Sequence, residues 1–226
     1  MIQGIREEAV IKILENGVRL SLKLQTSHIA SMYFETWLDK KKNSFTDPVA
    51  PNTDADCWLD QVKQMKPRDL RNYIDLITLS CILLAAKVNE QNPAQPSIND
   101  VLRLVRNKFE FEDFIEMERY LITECLNWKL NITTPYHFSD CIQGMGCLFW
   151  TDFDCSIRDN FRQREPRADQ GAKVLQYRMV LFLIQFRKYI NYFVEQSLIN
   201  GLWGHYPQDV IAIASIIIAR FEMINI

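Results

Sequence analysis

The stretch Ile74-Asp75-Leu76-Ile77-Thr78-Leu79-Ser80-Cys81-Ile82-Leu83-Leu84-Ala85-Ala86 is almost continuously apolar, and its spacing is helical. A helix with no polar face is one that other elements surround. It lies within a predicted helix over about 68–89, and the flanking sequence supplies its neighbours. Upstream, Ile5, Ala9, Ile13, Leu14 and Gly17 step down one stripe of a helix over about 5–22. The small Gly17 predicts that another element crosses closely there. Ile29, Tyr33, Phe34 and Trp37 mark the inner face of a second helix over about 26–39. Downstream, past Pro93 and Pro96, Ser97-x-x-Asp100 resembles a capping box that opens a short helix to about 105. A further helix, over about 111–126, carries Phe114, Ile115, Leu121, Ile122 and Cys125 on its inner face. Period-two runs rich in Val, Thr and Tyr are absent, so the fold class is all-α.

A second set of helices begins at Pro135, with Thr134 as its cap. The expected segments are 135–147, 172–199, broken at most once, and 207–223. Within the last, Ile211-Ala212-Ile213-Ala214-Ser215-Ile216-Ile217-Ile218-Ala219-Arg220-Phe221 echoes the central stretch, and Ala219-Arg220-Phe221 lines up with Ala86-Lys87-Val88. Two copies of one helical unit are expected, each built round a small-residue central helix. Residues 40–67, with three prolines, the Lys40-Lys41-Lys42 triplet and an amphipathic piece at 56–65, have the composition of an insertion. A charged loop over 151–170 holds Arg162, Arg164 and Arg167 interleaved with Asp159, Glu165 and Asp169.

The 226 residues suffice for two repeats with a real core. Lys plus Arg total 26 against 28 acidic residues, so no global attraction to nucleic acid or anionic lipid arises. Nucleic acid is therefore an unexpected partner. No apolar run approaches the length of a membrane span, and the six cysteines form no C-x-x-C pair, which fits a reducing compartment, nucleus or cytoplasm. His28, His137 and His205 stand apart from each other and from cysteine at ligand spacing, so no metal or cofactor is expected. Phosphate-cradle and nucleophile motifs are missing, and the chain is expected not to be an enzyme.

Two charged residues interrupt apolar rows. Glu118 lies on the row 111, 114, 118, 121, 125, and Lys87 follows Leu76, Ser80 and Leu83 on its own. Either each is satisfied locally, Lys87 by the helix end and Glu118 by Arg119 or Lys129, or the two heads converge at one edge of the core and offer a donor and an acceptor to another protein. Arg6 and Glu35, opposite in charge and close to apolar stripes, read as a structural brace.

Leu83-Leu84-Ala85-Ala86-Lys87-Val88-Asn89-Glu90 resembles the cyclin-box signature L-A-x-K-x-x-E. Met117-Glu118-x-x-Leu121-Ile122, then Leu126-Asn127-Trp128 and Thr134-Pro135-x-x-Phe138, are similar to the family's fifth helix and inter-repeat linker. The resemblance implies tandem cyclin-box repeats: a first over 1–132 containing the 40–67 insertion, and a second, shortened and incomplete, over 133–226. It implies a regulatory subunit whose partner is a cyclin-dependent protein kinase. Lys87 and Glu118 would hold the kinase C helix, with Leu84, Val88 and Ile122 as apolar neighbours, and Arg6 with Glu35 would be the family's internal salt bridge. A cyclin-fold transcription factor or a scaffold without a kinase is the alternative. Two departures stand out. Glu7, Glu8 and Lys12 occupy the first-helix surface that is apolar in cell-cycle cyclins, and this helix, with Gly17-x-x-Leu20-x-Leu22, is more similar to transcription-associated cyclins. One residue more than the family pattern also separates Glu118 from Leu126-Asn127-Trp128. Either a residue is inserted at the helix end or Glu118 is not the matching acid, and the helical frame of Leu121, Ile122 and Cys125 favours the insertion.

Overall fold

The computed structural model of the chain describes residues 2–43, 67–91, 95–106, 108–146 and 168–224. Every regular element among them is helical: α1 (Ile2–Arg19), α2 (Leu24–Asn43), α3 (Pro67–Asn89), α4 (Ile98–Leu104), α5 (Phe111–Tyr120), a π-helical turn (Leu121–Cys125), α6 (Pro135–Met145), α7 (Ala168–Ile199), a 3-10 turn (Leu202–Gly204) and α8 (Gln208–Ile224). The chain divides into two compact units, Met1–Thr134 and Pro135–Ile226. Most of the 40–67 insertion, including the piece at 56–65, lies outside the described residues, and so do Arg162, Arg164 and Arg167 of the 151–170 loop.

In the first unit α3 packs against α1, α2 and α5. Ile74, Ile77, Leu79, Cys81, Ile82, Leu83, Leu84, Ala85 and Ala86 are all buried, as the apolar stretch requires. Among the described residues α3 is the one helix long and apolar enough to cross a membrane. Its packing against three amphipathic neighbours makes it a core helix instead. Burial also pushes the Cys81 thiol well above its ordinary range, so it behaves as a small apolar group. The neighbours supply Ala9 and Ile13 from α1, Tyr33, Phe34 and Trp37 from α2, and Phe114 from α5.

Helix ends depart from the sequence reading for local reasons. α1 stops at Arg19 rather than near residue 22, because Ser21 takes a left-handed φ of 56°. The Leu22 N–H then returns to Gly17 O at 2.9 Å and the Ser21 N–H to Val18 O at 3.0 Å, a Schellman closure made with serine. α2 runs on to Asn43 rather than ending at Asp39, so the lysine triplet is its last turn. There Lys40 Nζ donates to Glu124 O, and Lys41 Nζ sits 5.4 Å from the centre of the Tyr120 ring. Ser97 caps α4 reciprocally: its Oγ accepts from Asp100 N at 3.2 Å and its N–H donates to Asp100 Oδ2 at 2.9 Å. α2 crosses α1 at Gly17, where a Cβ would collide with Ser27 Oγ and stand 3.2 Å from Ser27 Cβ.

In the second unit α7 is one unbroken helix that begins at Ala168, before the expected start near 172. Its stripe of Phe186, Ile190, Val194 and Leu198 is buried, as are Ile211, Ala212, Ile216 and Ala219 of α8. α7 ends at Ile199, and Gly201, with a φ of 78°, turns the chain into the 3-10 segment. Trp203 Nε1 then donates to Ser197 Oγ at 2.8 Å. Arg187 of α7 pairs with Asp140 of α6. Within this unit α8 packs on α6, α7 and the 3-10 turn, and it leaves Val210, Ile213, Ile217 and Phe221 exposed.

The close crossing predicts that Gly17→Val destabilises the protein by about 1–3 kcal/mol through overpacking. A lower urea midpoint at unchanged m-value checks this.

Candidate functional site

The site is built on the end of α3, which is held from both sides. Gln95 Nε2 donates to Lys87 O at 3.1 Å, a carbonyl that the last turn leaves open, and to Ala86 O at 3.4 Å, which also accepts from Glu90 N at 2.9 Å. Glu90, just past the helix, turns inward and is buried. Its Oε1 accepts from Lys23 N at 2.8 Å and from Thr26 Oγ1 at 2.6 Å, while Asn89 Nδ2 donates to Thr26 Oγ1 at 2.8 Å. A carboxylate thus sits at the N-terminus of α2, where the helix dipole favours it. Burial works to raise the Glu90 carboxyl, but the hydrogen bonds from Thr26 and Lys23, together with the Lys23 ammonium, outweigh it and hold the group below its ordinary value. The direction in which Lys87 leaves the core is set by this joint.

α5 supplies the acid. Its N-terminus is closed by Asp113, whose Oδ2 accepts from Glu110 N at 2.8 Å, and its inner row buries Phe114 and, one step further, Leu121. Glu118 leaves that row at its edge. The structure brings Lys87 and Glu118 together: Lys87 Nζ lies 2.6 Å from both carboxylate oxygens. The side chains are 48% and 17% exposed respectively, so the pair stands at the surface with the acid half-sunk. An ammonium has three donors and a carboxylate about four lone pairs. The pair therefore keeps capacity for the backbone groups of a partner.

The apolar surroundings differ from the sequence reading in two respects. Leu84, expected as a neighbour of the pair, is 2% exposed and belongs to the core beside Leu83 and Ala85. Ile115, expected on the inner face of its helix, is exposed, as is Phe111. Phe111, Ile115, Glu118 and Ile122 fall at i, i+4, i+7 and i+11, which is a stripe in its own right beside the buried one. That spacing was the available signal. Val88 is exposed on α3, and Ile122 is half-buried.

Between Glu118 and Trp128 the helix widens. Leu126 N donates to Leu121 O at 2.8 Å, an i to i+5 bond. In an α-helix five residues advance about 500°, so Leu126 would point some 140° away from Leu121. Both are buried, and the wider π turn is what allows it. This wider turn lies after Glu118, in the segment where the sequence resemblance implies one residue more. Lys40 and Lys41 cover the turn from α2, and Tyr33 Oη donates to Leu130 O at 2.5 Å just beyond it.

Deeper in the unit, Arg6 Nη2 lies 2.5 Å from Glu35 Oε1, with both side chains largely buried between α1 and α2. On the outer side of α1, Lys12 Nζ lies 2.8 Å from Asp75 Oδ1 and 3.0 Å from Glu8 Oε1. Burial lowers the pKa of Lys12, but these two carboxylates carry it above its ordinary value. The α1–α3 groove, lined by Ile5, Glu8, Lys12, Leu70, Arg71 and Ile74, is accordingly charged at its rim.

The first unit is thus an apolar central helix wrapped by amphipathic ones, with a lysine at its end meeting a glutamate of a later helix. The family model "Cyclin, N-terminal domain" matches residues 55–131. This part, less than half of the chain, is similar to the cyclin family. Curated relatives include Cyclin-G1 of Bos taurus and of Homo sapiens, each 26% identical over 125 residues, which is 55% of this chain and 39% of the relative. Cyclin-G1 of Mus musculus is 30% identical over 66 residues, 29% of this chain and 22% of the relative. The matched part thus spans well under half the length of these relatives.

Two stability measurements test the supports of the site. Arg6→Ala leaves a buried carboxylate uncompensated and should cost about 3–5 kcal/mol, whereas Arg6→Met combined with Glu35→Leu should cost clearly less. Urea titration of both variants reads the difference. Glu90→Gln should lose about 1–2 kcal/mol at pH 7. Because the folded carboxyl is depressed, its contribution is full above the unfolded value of 4.5 and fades as pH falls through the folded one. The gap between wild type and Glu90→Gln should therefore close on acidification below 4.5.

Proposed function

We propose that the chain is the regulatory subunit of a cyclin-dependent protein kinase and activates it by holding the kinase C helix in the active position through Lys87 and Glu118. The observation that carries this reading is the pairing of those two heads at 2.6 Å on an edge fixed by the Glu90 joint. As a cyclin the chain acts by regulation, and the chemistry belongs to its partner. A kinase must pair its β3-strand lysine with a C-helix glutamate before ATP is positioned. A protein that binds only the inward C helix shifts that equilibrium, and moving it from 1:99 to 99:1 takes about 5.5 kcal/mol of differential affinity.

The division of labour follows from exposure. Phe111, Ile115 and Val88 offer the apolar surface whose burial supplies affinity. The charged pair supplies direction, because a misplaced donor or acceptor is penalised once water is excluded. Within this reading α6, α7 and α8 form a second, shortened cyclin-like repeat, supported by the echo of α3 in α8. The site of action, nucleus or cytoplasm, follows from that of the kinase.

Co-purification with a panel of cyclin-dependent kinases tests the reading. Lys87→Ala and Glu118→Ala should each weaken binding about tenfold or more. Their helical circular dichroism should stay intact, since a half-exposed ion pair contributes about 0–1 kcal/mol to folding. Unchanged binding by both variants refutes the grip.

A further inference from the structure

Just beyond the π-helical turn lies a feature that folding does not account for. Asn127 and Trp128 both adopt left-handed backbone, with φ of 46° and 62°. For a bulky aromatic that conformation is disfavoured by roughly 1–2 kcal/mol. Burial of the ring does not offset the strain, because Trp128 is 71% exposed. Strain that persists without a packing reward points to a use at the surface. The segment is nevertheless well held. Trp128 N donates to Ile122 O at 3.0 Å, which folds it back onto the turn four residues after Glu118. Lys40 and Lys41 cover that turn, and Tyr33 fastens Leu130.

We propose that the π-helical turn is a partner-selecting device: its additional residue sets the offset between the Lys87–Glu118 grip and the outward Trp128, so that only a kinase with an apolar recess at that offset binds tightly. This rests on the kinase-binding reading of Lys87 and Glu118. Ile122 follows Glu118 by one helical turn and its carbonyl receives the Trp128 N–H at 3.0 Å, and a large rigid aromatic on a pre-ordered backbone is the kind of group that anchors an interface. The π turn decides where it stands. Removing one residue from the turn would bring Leu121 and Leu126 to a spacing of four, which an ordinary α-helix places on one face. Leu121 would keep its core contacts and Leu126 would take the place Cys125 now holds, which draws Trp128 one residue nearer to Glu118.

The test compares deletion of Thr123, Trp128→Ala and Lys87→Glu against wild type on a panel of purified cyclin-dependent kinases, with circular dichroism melts as the check on folding. The kinase bound best by wild type should bind the Thr123 deletion and Trp128→Ala at least tenfold more weakly, and the deletion should reorder the panel. Should the deletion fail to fold, the binding of Trp128→Ala decides the matter alone. Binding of Trp128→Ala, and of a folded deletion, within twofold of wild type, while Lys87→Glu abolishes it, overturns the selecting role and leaves the grip standing. Full binding by Lys87→Glu, or no binding of any kinase by wild type, overturns the grip and the selecting role together.

Discussion

The burial of α3 on all sides from Ile77 to Ala86 is the constraint from which the first unit follows. A helix with no polar face cannot lie at a surface, so α1, α2 and α5 must each turn an apolar stripe toward it. Only its ends escape. The C-terminal end emerges with Lys87 pointing outward, and the Glu90 carboxylate locks that end to the start of α2. The lysine is therefore presented from the end of the buried central helix, fastened to α2 by hydrogen bonds. Its long side chain is flexible, but its root is not.

α5 does two jobs because it has two adjacent apolar stripes. One, through Phe114, closes the core; the other, through Phe111 and Ile115, faces solvent beside Glu118. The Lys87–Glu118 pair is poorly placed to stabilise the fold, being half-exposed and open to screening. Arg6 and Glu35 show the contrast: that pair is buried between α1 and α2, where losing either partner strands a charge. Two ion pairs of similar length thus serve different ends, one bracing the core and one left available at its rim.

The all-α class, the central helix, the Ser97–Asp100 box and the close crossing at Gly17 were all legible in the sequence, because each depends on residues near one another along the chain. Boundaries were less so. α1 ends on a serine where a glycine is usual, and α2 continues through a lysine triplet because a carbonyl and an aromatic ring on another helix receive it. Leu84 and Ile115 show the limit of periodicity in the site. Both are apolar and both lie near the pair, yet one is sealed in the core and the other stands in solvent. What separates them is which of two adjacent stripes faces α3, and spacing reveals both stripes without choosing between them.

By itself the sequence determined which residues must be inside, how many helices could carry them, and that a lysine and a glutamate interrupt apolar rows. Those are matters of period and polarity, which are written one residue after another. Tertiary structure alone decided that the two heads meet, that Glu90 bolts α3 to α2, and that the chain after Glu118 widens into a π turn that keeps Leu126 in the core. Each of these depends on where separate segments come to rest against one another, and packing settles that only when the whole unit has closed.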